Sequence, residues 1–563
     1  MYKNYKKNYP YYEVREISSL RDLIDSSAAL FKDRLAYKYK EKGEIKSVSY
    51  AEFKNEVDAI GTALLDMGLD GKHIGIIGDN CYNWVRSYLT VLASSGVVVP
   101  IDKELSLEEI EYIINSSDCE VLIYGGGQTE KKILEVEEKL PNITHFICME
   151  EPTNKEHYQL EDIMNKGREL LDNGDTRFIS IEPDNKALKE LLYTSGTTGK
   201  SKGVMLSADA LLFNIINGQK LLKITDTCLS ILPYHHSYES TNGLLVMMHA
   251  GMTICINESL RSVLPNFKLY KPTEVLLVPL FIEKIYRSIW DKAEETGKAG
   301  MLKSLIKFSN SMRKIGIDLR KQLFGSVSSV FGGRLKLFIC GGAPLKPQMT
   351  EFFDSIGITL INGYGISECG PLISINRPEY RNYESVGMLL PGMEIKIDNP
   401  NEKGEGEICV KGDNVMMGYY KNEQATAKAI RDGWFHTGDV GKYDGEFIYL
   451  TGRIKNIIIL KNGKNIYPEE IEEKLSTMSE FINEIVVKAI KADDNDERLL
   501  GAEIFPDFER AKMRGIDDVE TEIRKTISEY NDKEASYKII KKIIFRKEEF
   551  EKTTSKKIKR KYS

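Results

Sequence analysis

The stretch from Leu191 to Val204 decides how the rest of the chain is interpreted, because it joins a short apolar run to a polar, glycine-rich loop. It reads Leu191-Leu192-Tyr193-Thr194-Ser195-Gly196-Thr197-Thr198-Gly199-Lys200-Ser201-Lys202-Gly203-Val204. Glycines let a backbone turn and expose its N–H groups, hydroxyls add hydrogen-bond donors, and lysines add positive charge. The stretch therefore predicts a strand and then a loop that holds a polyphosphate. An ordinary surface loop is the alternative.

The spacing of the glycines separates this loop from the P-loop of nucleoside triphosphatases. A P-loop needs four residues between its first glycine and the glycine that precedes lysine. In this chain only Thr197 and Thr198 stand between Gly196 and Gly199. The P-loop interpretation is excluded.

Composition narrows the class of protein. The chain has 563 residues, of which 42% are hydrophobic and 29% are charged, as in a globular protein of several domains. Its net charge of −6 disfavours a dedicated nucleic-acid binder, which needs a basic surface. The eight cysteines include no Cys-x-x-Cys pair and no His-Cys cluster along the sequence, so neither a zinc site nor a disulfide framework is predicted.

The sequence predicts neither a membrane-spanning helix nor a secretory signal. No apolar run approaches the roughly 20 residues that a membrane-spanning helix needs. The basic residues that follow Met1 lead into no apolar stretch, so we expect no secretory signal. A cytoplasmic location is the expectation, and the sequence makes no prediction of oligomeric state.

Up to about residue 180, short β-branched runs alternate with amphipathic segments, which is the rhythm of βαβ units. The predicted strands are His73–Ile77, Val97–Ile101 and Val121–Tyr124, and the predicted helices between them are Tyr82–Ala93 and Leu105–Asn115. Two capping boxes, at Ser49 with Glu52 and at Ser106 with Glu109, predict helix starts.

The second half of the chain changes pattern twice. Residues 282–325 predict long charged helices, whereas residues 385–450 are rich in Gly, Asp and Asn and predict hairpins of a small β unit. Near residue 450 a short link precedes an apolar strand, Ile457–Leu460, and a helix that opens at Pro468.

From these patterns we expect an α/β protein. Residues 1–452 would form layered α/β subdomains with a small β-barrel-like unit, and residues 453–563 a small α+β domain.

Six further segments follow the loop in a fixed order along the chain. They are Gly341-Gly342-Ala343-Pro344-Leu345, Asn362-Gly363-Tyr364-Gly365-Ile366-Ser367-Glu368, Trp434-Phe435-His436-Thr437-Gly438-Asp439, Gly452-Arg453-Ile454-Lys455, Asn462-Gly463-Lys464-Asn465-Ile466-Tyr467-Pro468 and Lys552-Thr553-Thr554-Ser555-Lys556-Lys557-Ile558. Together with the loop, they closely resemble the signature of the adenylate-forming superfamily. This superfamily contains acyl-CoA synthetases, peptide-synthetase adenylation domains and beetle luciferases.

The resemblance implies a two-step reaction. A carboxylate attacks the α-phosphate of ATP, giving acyl-AMP and pyrophosphate, and a thiol then attacks the acyl carbon. Because two anions meet in the first step, cations have to be held at the reaction centre.

The resemblance also implies roles for individual residues. The phosphate loop would hold the β- and γ-phosphates through Thr194, Ser195, Gly196, Thr197, Thr198, Gly199 and Lys202. Glu368 with Thr194 would hold Mg²⁺, a hard cation that prefers oxygen ligands. Tyr364, between Gly363 and Gly365, would stack on adenine beside Gly342, Ala343 and Pro344, with a packed turn residue as its alternative role. Asp439 would accept both ribose hydroxyls with Arg453 beside it, although an isolated Asp in such a turn is more often structural.

The last implied roles belong to the C-terminal domain. Lys557 would touch the carboxylate and the α-phosphate, and Lys556 stays an alternative because the family usually has glycine at that position. The domain would rotate about Lys455, with its hinge near residues 453–456, and present first the loop with Lys557 and then the loop with Gly463. Gly463 would leave room for the pantetheine arm of CoA, or else be an ordinary hairpin glycine. The active site would lie in the crevice between the domains.

A fatty acid is the first choice of substrate. Leu232-Pro233-Tyr234-His235-His236-Ser237-Tyr238-Glu239 looks like the long-chain variant of the substrate-side motif, which makes His236 a candidate catalytic residue. Val278-Pro279, followed by Glu283 to Tyr286, also resembles long-chain fatty acyl-CoA ligases. An amino acid substrate, as in peptide synthetases, stays open, and so does the acyl chain length.

The thiol that accepts the acyl group has several candidate sources. We expect no carrier domain after Ser563, so the thiol would come from outside, and CoA is the simplest donor. From Lys538 onward eleven Lys or Arg face three Glu. This basic surface suits CoA phosphates, an acidic acyl-carrier protein or anionic lipid. A catalytically weak nucleotide or acyl-AMP binding protein is a further alternative, because the Lys557 motif departs from the family pattern.

Overall fold

The architecture comes from a computed structural model that describes residues 8–194, 201–459, 465–491, 498–552 and 558–560. Contacts between residues divide the chain into two compact units. Unit 1 comprises Met1–Glu394 and Lys411–Gly433, and unit 2 comprises Ile395–Val410 and Trp434–Ser563. The sequence also predicts a boundary between residues 452 and 453, after which a C-terminal domain would rotate. That boundary stays a prediction.

The strands, in chain order, are β1 (Leu35–Glu41), β2 (Glu44–Ser49), β3 (His73–Ile77), β4 (Val97–Ile101), β5 (Val121–Tyr124), β6 (His145–Cys148), β7 (Tyr158–Gln159), β8 (Leu188–Thr194), β9 (Lys202–Ser207), β10 (Thr227–Ser230), β11 (Thr253–Ile256), β12 (Glu274–Leu277), β13 (Leu337–Cys340), β14 (Thr359–Gly365), β15 (Leu372–Ile375), β16 (Met388–Leu389), β17 (Glu394–Asp398), β18 (Gly406–Lys411), β19 (Gly418–Tyr419), β20 (Ile430–Arg431), β21 (Trp434–Tyr443), β22 (Ile448–Arg453), β23 (Ile458–Ile459), β24 (Asn465–Ile466), β25 (Ile482–Lys491), β26 (Arg498–Pro506) and β27 (Lys542–Phe545).

The helices are α1 (Leu20–Phe31), α2 (Tyr50–Asp66), α3 (Tyr82–Ala93), α4 (Leu107–Ser116), α5 (Gln128–Val136), α6 (Leu160–Asp172), α7 (Ala208–Leu221), α8 (Val246–His249), α9 (Val263–Tyr270), α10 (Pro279–Glu295), α11 (Ala299–Lys314), α12 (Arg320–Leu323), α13 (Gly325–Val330), α14 (Pro347–Ser355), α15 (Glu423–Ala429), α16 (Pro468–Met478), α17 (Phe508–Met513) and α18 (Val519–Asn531). Short 3₁₀ segments lie at Glu137–Lys139, Leu260–Ser262, Ser367–Cys369, Ile454–Asn456 and Ser536–Lys538, and a π-helix spans Tyr238–Leu245.

Unit 1 is built on two large sheets. One has the strand order β16-β15-β14-β13-β12-β10-β11-β1-β2, and the other has the order β19-β9-β8-β4-β3-β5-β6-β7. Neighbouring strands from β14 to β1 are parallel in the first sheet, and those from β8 to β7 are parallel in the second. Antiparallel strands flank both parallel regions. The layered α/β prediction is confirmed.

Local sequence signals account for the helix starts in unit 1. Both predicted capping boxes form, with the Ser49 and Ser106 hydroxyls accepting the backbone N–H groups of Glu52 and Glu109. The predicted helix at Leu105–Asn115 begins two residues later, because Ser106 is the N-cap and the helix proper starts at Leu107. The predicted charged helices are α10 and α11, which pack on an apolar cluster around Phe267, Phe338 and Phe353.

Unit 2 contains three smaller sheets. Strands β17, β18, β21 and β22, with β20 beside β21, form the five-stranded β unit that the Gly-, Asp- and Asn-rich segment predicts. Strands β23 and β24 form a ribbon, and β25, β26 and β27 form a sheet that shares an apolar core with α16 and α18. Helix α16 opens at Pro468 as predicted, since a proline at the first helical position loses no hydrogen bond.

The cysteines and the hydrophobic character of the helices complete the description of the fold. All eight cysteines are free thiols, and all of them except Cys81 are buried. Among the described residues, none of the helices combines the length and the apolar character needed to span a membrane.

Candidate active site

The phosphate loop closes a hairpin in unit 1. Strands β8 and β9 are antiparallel, and the last pair in their register joins Thr194 to Lys202. The predicted phosphate-binding residues Thr194 and Lys202 therefore face each other at the base of the loop. Ser195, Gly196, Thr197, Thr198 and Gly199 lie outside the described residues.

Tyr419 connects two of the predicted site residues, Lys202 and Glu368. It lies on β19, which pairs with β9, and its ring centroid is 5.1 Å from the Lys202 Nζ atom. Its hydroxyl donates a hydrogen bond to Glu368 Oε1 at 2.9 Å. Burial, and then the Glu368 charge, raise the pKa of Tyr419, so the hydroxyl keeps its proton and remains a donor.

Glu368 is held in place by its own backbone and by its neighbours. It lies in the 3₁₀ segment Ser367–Cys369, and its carbonyl oxygen accepts the N–H of Met416 at 2.8 Å. The hydroxyls of Ser367 and Ser237 lie 3.1 Å apart, which joins this segment to the histidine motif. The hydroxyl and carboxylate oxygens of Thr194 and Glu368 are the donor types that Mg²⁺ prefers, so these residues fit the predicted metal role.

Glycines shape the predicted adenine site at the carboxyl ends of β13 and β14. Gly342 has a φ of +84°, a conformation that favours glycine. A Cβ atom on Gly365 would lie 2.2 Å from the carbonyl oxygen of Pro371, so a side chain cannot fit there without a backbone shift. Ala343 and Pro344 are exposed, whereas Tyr364, beside Gly363, is buried on β14. Parallel strands of adjacent βα units commonly gather ligand-binding residues at this edge.

His236 lies just before the π-helix and belongs to the same region. Its Nδ1 atom accepts the backbone N–H of Tyr238 at 3.1 Å, which leaves the Nε2 atom to carry the proton of the neutral ring. The Tyr238 hydroxyl donates to the carbonyl oxygen of Ile339 at 3.0 Å and thereby connects the motif to β13. A π-helix is rare and often marks a functional site.

Glu239, which the substrate-side motif includes, lies in the π-helix, and Glu190 lies on β8; the complete burial of both carboxyl groups was not predicted from the sequence. Burial raises the pKa of Glu239 to about 8 and that of Glu190 to about 7. The Ser230 hydroxyl donates to Glu239, and the Tyr88 hydroxyl donates to Glu190. One oxygen of each carboxyl has no hydrogen-bond partner among the described residues. Both groups therefore stay protonated at pH values where an exposed glutamate is charged.

Replacing Glu239 by Gln should remove a pH-dependent loss of stability. Between the ordinary glutamate pKa of 4.5 and about 8, the folded protein holds a proton that the unfolded chain has lost. Stability therefore falls as the pH rises through this window and levels off above it. We expect Glu239→Gln to gain about 1 kcal/mol relative to the wild type for each pH unit within the window, measured by denaturant unfolding.

The matched control is Glu44→Gln, because the Glu44 carboxyl is exposed and Lys46 lowers its pKa. This variant should show no relative gain with rising pH. A Glu239→Gln variant whose stability tracks the wild type at every pH would contradict a buried neutral carboxyl.

The remaining predicted site residues lie in unit 2. Asp439 on β21 pairs with Arg453 on β22, and their Oδ1 and Nε atoms are 2.6 Å apart. Asp439 is buried on β21 and its backbone N–H donates to the Thr437 hydroxyl, so it is a strand residue and not an exposed turn residue. Lys455 follows in the 3₁₀ segment Ile454–Asn456. Gly463 and Lys557 lie outside the part of the chain that the structure describes.

A His-Cys contact that the sequence spacing did not reveal also lies in unit 2. His436 Nδ1 is 2.8 Å from Glu407 Oε2 and 3.2 Å from Cys409 Sγ, because β18 and β21 pair side by side. Among the described residues these three form a candidate metal-binding group. Their mutual hydrogen bonds satisfy them without an ion, so they carry no metal assignment.

Comparison with known proteins identifies the family. The sequence model described as AMP-binding enzyme matches residues 24–420. The long-chain-fatty-acid–CoA ligase FadD15 of Mycobacterium tuberculosis is 27% identical over 472 residues, covering 79% of this chain and 75% of that protein. The long-chain-fatty-acid–CoA ligase ACSBG1 of Homo sapiens is 30% identical over 470 residues, covering 78% of this chain and 65% of that protein.

Solved structures share the fold. The crystal structure of the anthranilate CoA ligase AuaEII in complex with anthranoyl-AMP has a TM-score of 0.76 and 18% identity, covering 97% of this chain and 96% of that one. At this identity the likeness establishes the fold alone. The family model matches most of the chain and thereby establishes the family: the chain belongs to the AMP-binding enzymes.

Proposed function

We propose that this chain activates a fatty acid with ATP and Mg²⁺ to acyl-AMP and then transfers the acyl group to CoA. The observation that carries the proposal is the contact of Tyr419 with both Lys202 and Glu368 in unit 1, with Thr194 paired to Lys202. It brings a hydroxyl and a cation of one hairpin together with a carboxylate from a distant segment at the base of the predicted phosphate loop. Membership of the AMP-binding family and the names of the relatives support the same reaction.

In this proposal the phosphate loop binds the β- and γ-phosphates, and Lys202 neutralises part of their charge. Glu368 and Thr194 supply oxygen ligands to Mg²⁺, which when bound shields the phosphate charges from the incoming carboxylate. Tyr419 fixes the Glu368 carboxylate through its hydroxyl and leaves the net charge of the group unchanged.

The roles proposed for the nucleoside contacts follow the sequence resemblance. Tyr364 and the backbone at Gly342, Ala343 and Pro344 would bind adenine, and Asp439 would accept the ribose hydroxyls. Arg453 Nε lies 2.6 Å from Asp439 Oδ1 and so fixes the orientation of the carboxylate that would accept the two hydroxyl donors.

A long-chain fatty acid is the substrate that we propose. The π-helix that follows His236 carries the buried carboxyl of Glu239, whose raised pKa keeps it uncharged, and an uncharged wall suits an acyl chain. The names of FadD15 and ACSBG1 support the same choice. A cytoplasmic location stays a prediction.

The test is fatty-acid-dependent exchange of labelled pyrophosphate into ATP, run across acids from acetate to long-chain and aromatic acids. We expect exchange with Mg²⁺ and long-chain acids, and little with acetate. ATP binding without exchange for any acid would favour the weak nucleotide-binding alternative. Exchange only with amino acids would overturn the choice of substrate.

The acceptor is tested separately by mass spectrometry of the acylated product. We propose free CoA, and therefore expect saturable acyl-CoA formation coupled to AMP release. If only an added acyl-carrier protein is acylated, the carrier protein and not CoA supplies the thiol that accepts the acyl group.

The proposed hinge at Lys455 makes a prediction about the two half-reactions. Proline at this position fixes φ, so Lys455→Pro should restrict the rotation between them. We expect pyrophosphate exchange to persist while acyl-CoA formation falls at least about tenfold. The control is Lys455→Ala, which removes the charge but leaves the backbone free. Equal losses of both half-reactions in Lys455→Pro would contradict a hinge.

A further inference from the structure

The segment from residue 296 to residue 336 is strongly basic in an acidic protein. It contains nine Lys or Arg and a single acidic residue, Asp318, whereas the whole chain has a net charge of −6. The segment contains α11, with α12 and α13 after it. Lys303, Lys307 and Lys314 are exposed and lie on one side of α11. Such a charge imbalance on one helix makes a local positive field.

The exposed half of α11 also carries large apolar side chains, on a line about 120° around the helix axis from the three lysines. Met301, Phe308 and Ile315 are 54%, 50% and 69% exposed. They are seven residues apart, so they fall almost on one line along the helix and its C-cap. The opposite face of α11 already packs on the apolar core through Leu302. The outward residues are thus not needed for the core.

A neighbouring helix repeats this combination. Leu260, in the 3₁₀ segment before α9, and Leu264, on α9, are 60% and 53% exposed and lie near Arg261. Helix α9 buries Phe267 in the same core that α11 covers with Leu302. Two helices over one core therefore both expose apolar residues among basic ones.

We propose that the exposed face of α11, defined by Met301, Lys303, Lys307, Phe308, Lys314 and Ile315, binds the surface of an anionic lipid bilayer. Lysines attract the headgroups, and the apolar side chains enter the boundary between headgroups and acyl chains. A second copy of the chain would bring the same positive charge, which disfavours self-association through this face. A nucleic acid would match the charge but would not bury Met301, Phe308 and Ile315.

This surface is separate from the C-terminal basic segment that the sequence analysis considered for lipid contact. It does not depend on the fatty-acid proposal, although it would bring the protein to the phase in which long-chain acids partition. Its test therefore needs no enzymatic readout.

The test is sedimentation of the full chain with vesicles of phosphatidylcholine containing about 30% phosphatidylglycerol. We expect binding to these vesicles that is weakened by about 0.5 M salt and at least about tenfold weaker with phosphatidylcholine alone. The triple variant Lys303→Glu, Lys307→Glu and Lys314→Glu should bind at least about tenfold more weakly than the wild type. Phe308→Ser should also weaken binding.

Matched controls separate this face from general charge and folding effects. The triple variant Lys131→Glu, Lys155→Glu and Lys186→Glu changes the net charge equally at exposed positions elsewhere and should retain binding. Ile45→Ser removes an apolar residue of similar exposure and should also retain it. Unfolding curves check that each variant is folded. Equal binding by the α11 triple variant and the wild type would overturn the proposal, as would binding to duplex DNA but not to vesicles.

Discussion

Replacing Lys557 by Ala should lower fatty-acid-dependent pyrophosphate exchange by about 10²- to 10³-fold, with little change in ATP binding. The reason is electrostatic, since a carboxylate and a phosphate have to approach each other although both are negative. A positioned ammonium group removes much of this repulsion in a site with little water, whereas a mobile counter-ion cannot. ATP binding should persist because the phosphate loop and Lys202 do not involve Lys557.

Lys556→Ala is the matched control for this experiment, because it removes the same charge one residue earlier in the motif. We expect it to retain most of the exchange activity. If Lys556→Ala loses exchange and Lys557→Ala does not, the register of the motif is shifted by one residue. If both variants exchange normally, the assignment of a lysine from this segment to the first half-reaction is wrong.

Replacing Glu368 by Gln should have the second large effect, a fall in exchange of about 10²-fold or more together with a higher requirement for Mg²⁺. Glutamine keeps the shape of the side chain and can still accept the hydrogen bond from Tyr419. The variant therefore removes the negative charge without disturbing the packing around the 3₁₀ segment Ser367–Cys369. The measurement is exchange rate against Mg²⁺ concentration.

Tyr419→Phe provides the comparison for Glu368→Gln, since it removes the positioning hydrogen bond and keeps the charge. Its loss should be smaller, about tenfold, with some recovery at high Mg²⁺. A Glu368→Gln variant with an unchanged Mg²⁺ requirement would exclude this carboxylate as a metal ligand.

The sequence predicts much of the fold because many of its signals are local. Strands β3, β4 and β5 and helix α3 have the bounds expected from their apolar runs, and Ser49 and Ser106 form the caps that their spacing predicts. The hairpin at Thr194 and Lys202 follows from the strand and loop composition of one short stretch.

Features that depend on distant pairings were not predictable in this way. Tyr419 reaches Glu368 and Lys202 only because β19 joins the edge of the sheet beside β9, and no local pattern specifies that partner. Cys409 and His436 are likewise brought together by the pairing of β18 and β21. The raised pKa of Glu239 depends on complete burial, which its polar neighbours in the sequence do not suggest.

The role of Gly243 could not be predicted from the sequence either, because it depends on side-chain packing. A Cβ atom at this position would lie 2.5 Å from the Glu239 Cδ atom, so a side chain there would force the buried carboxyl to move. In the sequence this glycine resembles an ordinary break in a helical pattern. Its role depends on which side chain the π-helix turns toward it.

The most direct test of the central claim, attack of a carboxylate on the α-phosphate, follows ¹⁸O from a fatty acid labelled in both carboxyl oxygens. In the proposed reaction one labelled oxygen bonds to the α-phosphorus as pyrophosphate leaves, and it stays on AMP when the CoA thiol attacks the acyl carbon. Mass spectrometry should therefore find AMP with one ¹⁸O atom for each acyl-CoA formed. Unlabelled AMP, or label in inorganic phosphate with ADP as the nucleotide product, would contradict adenylate formation.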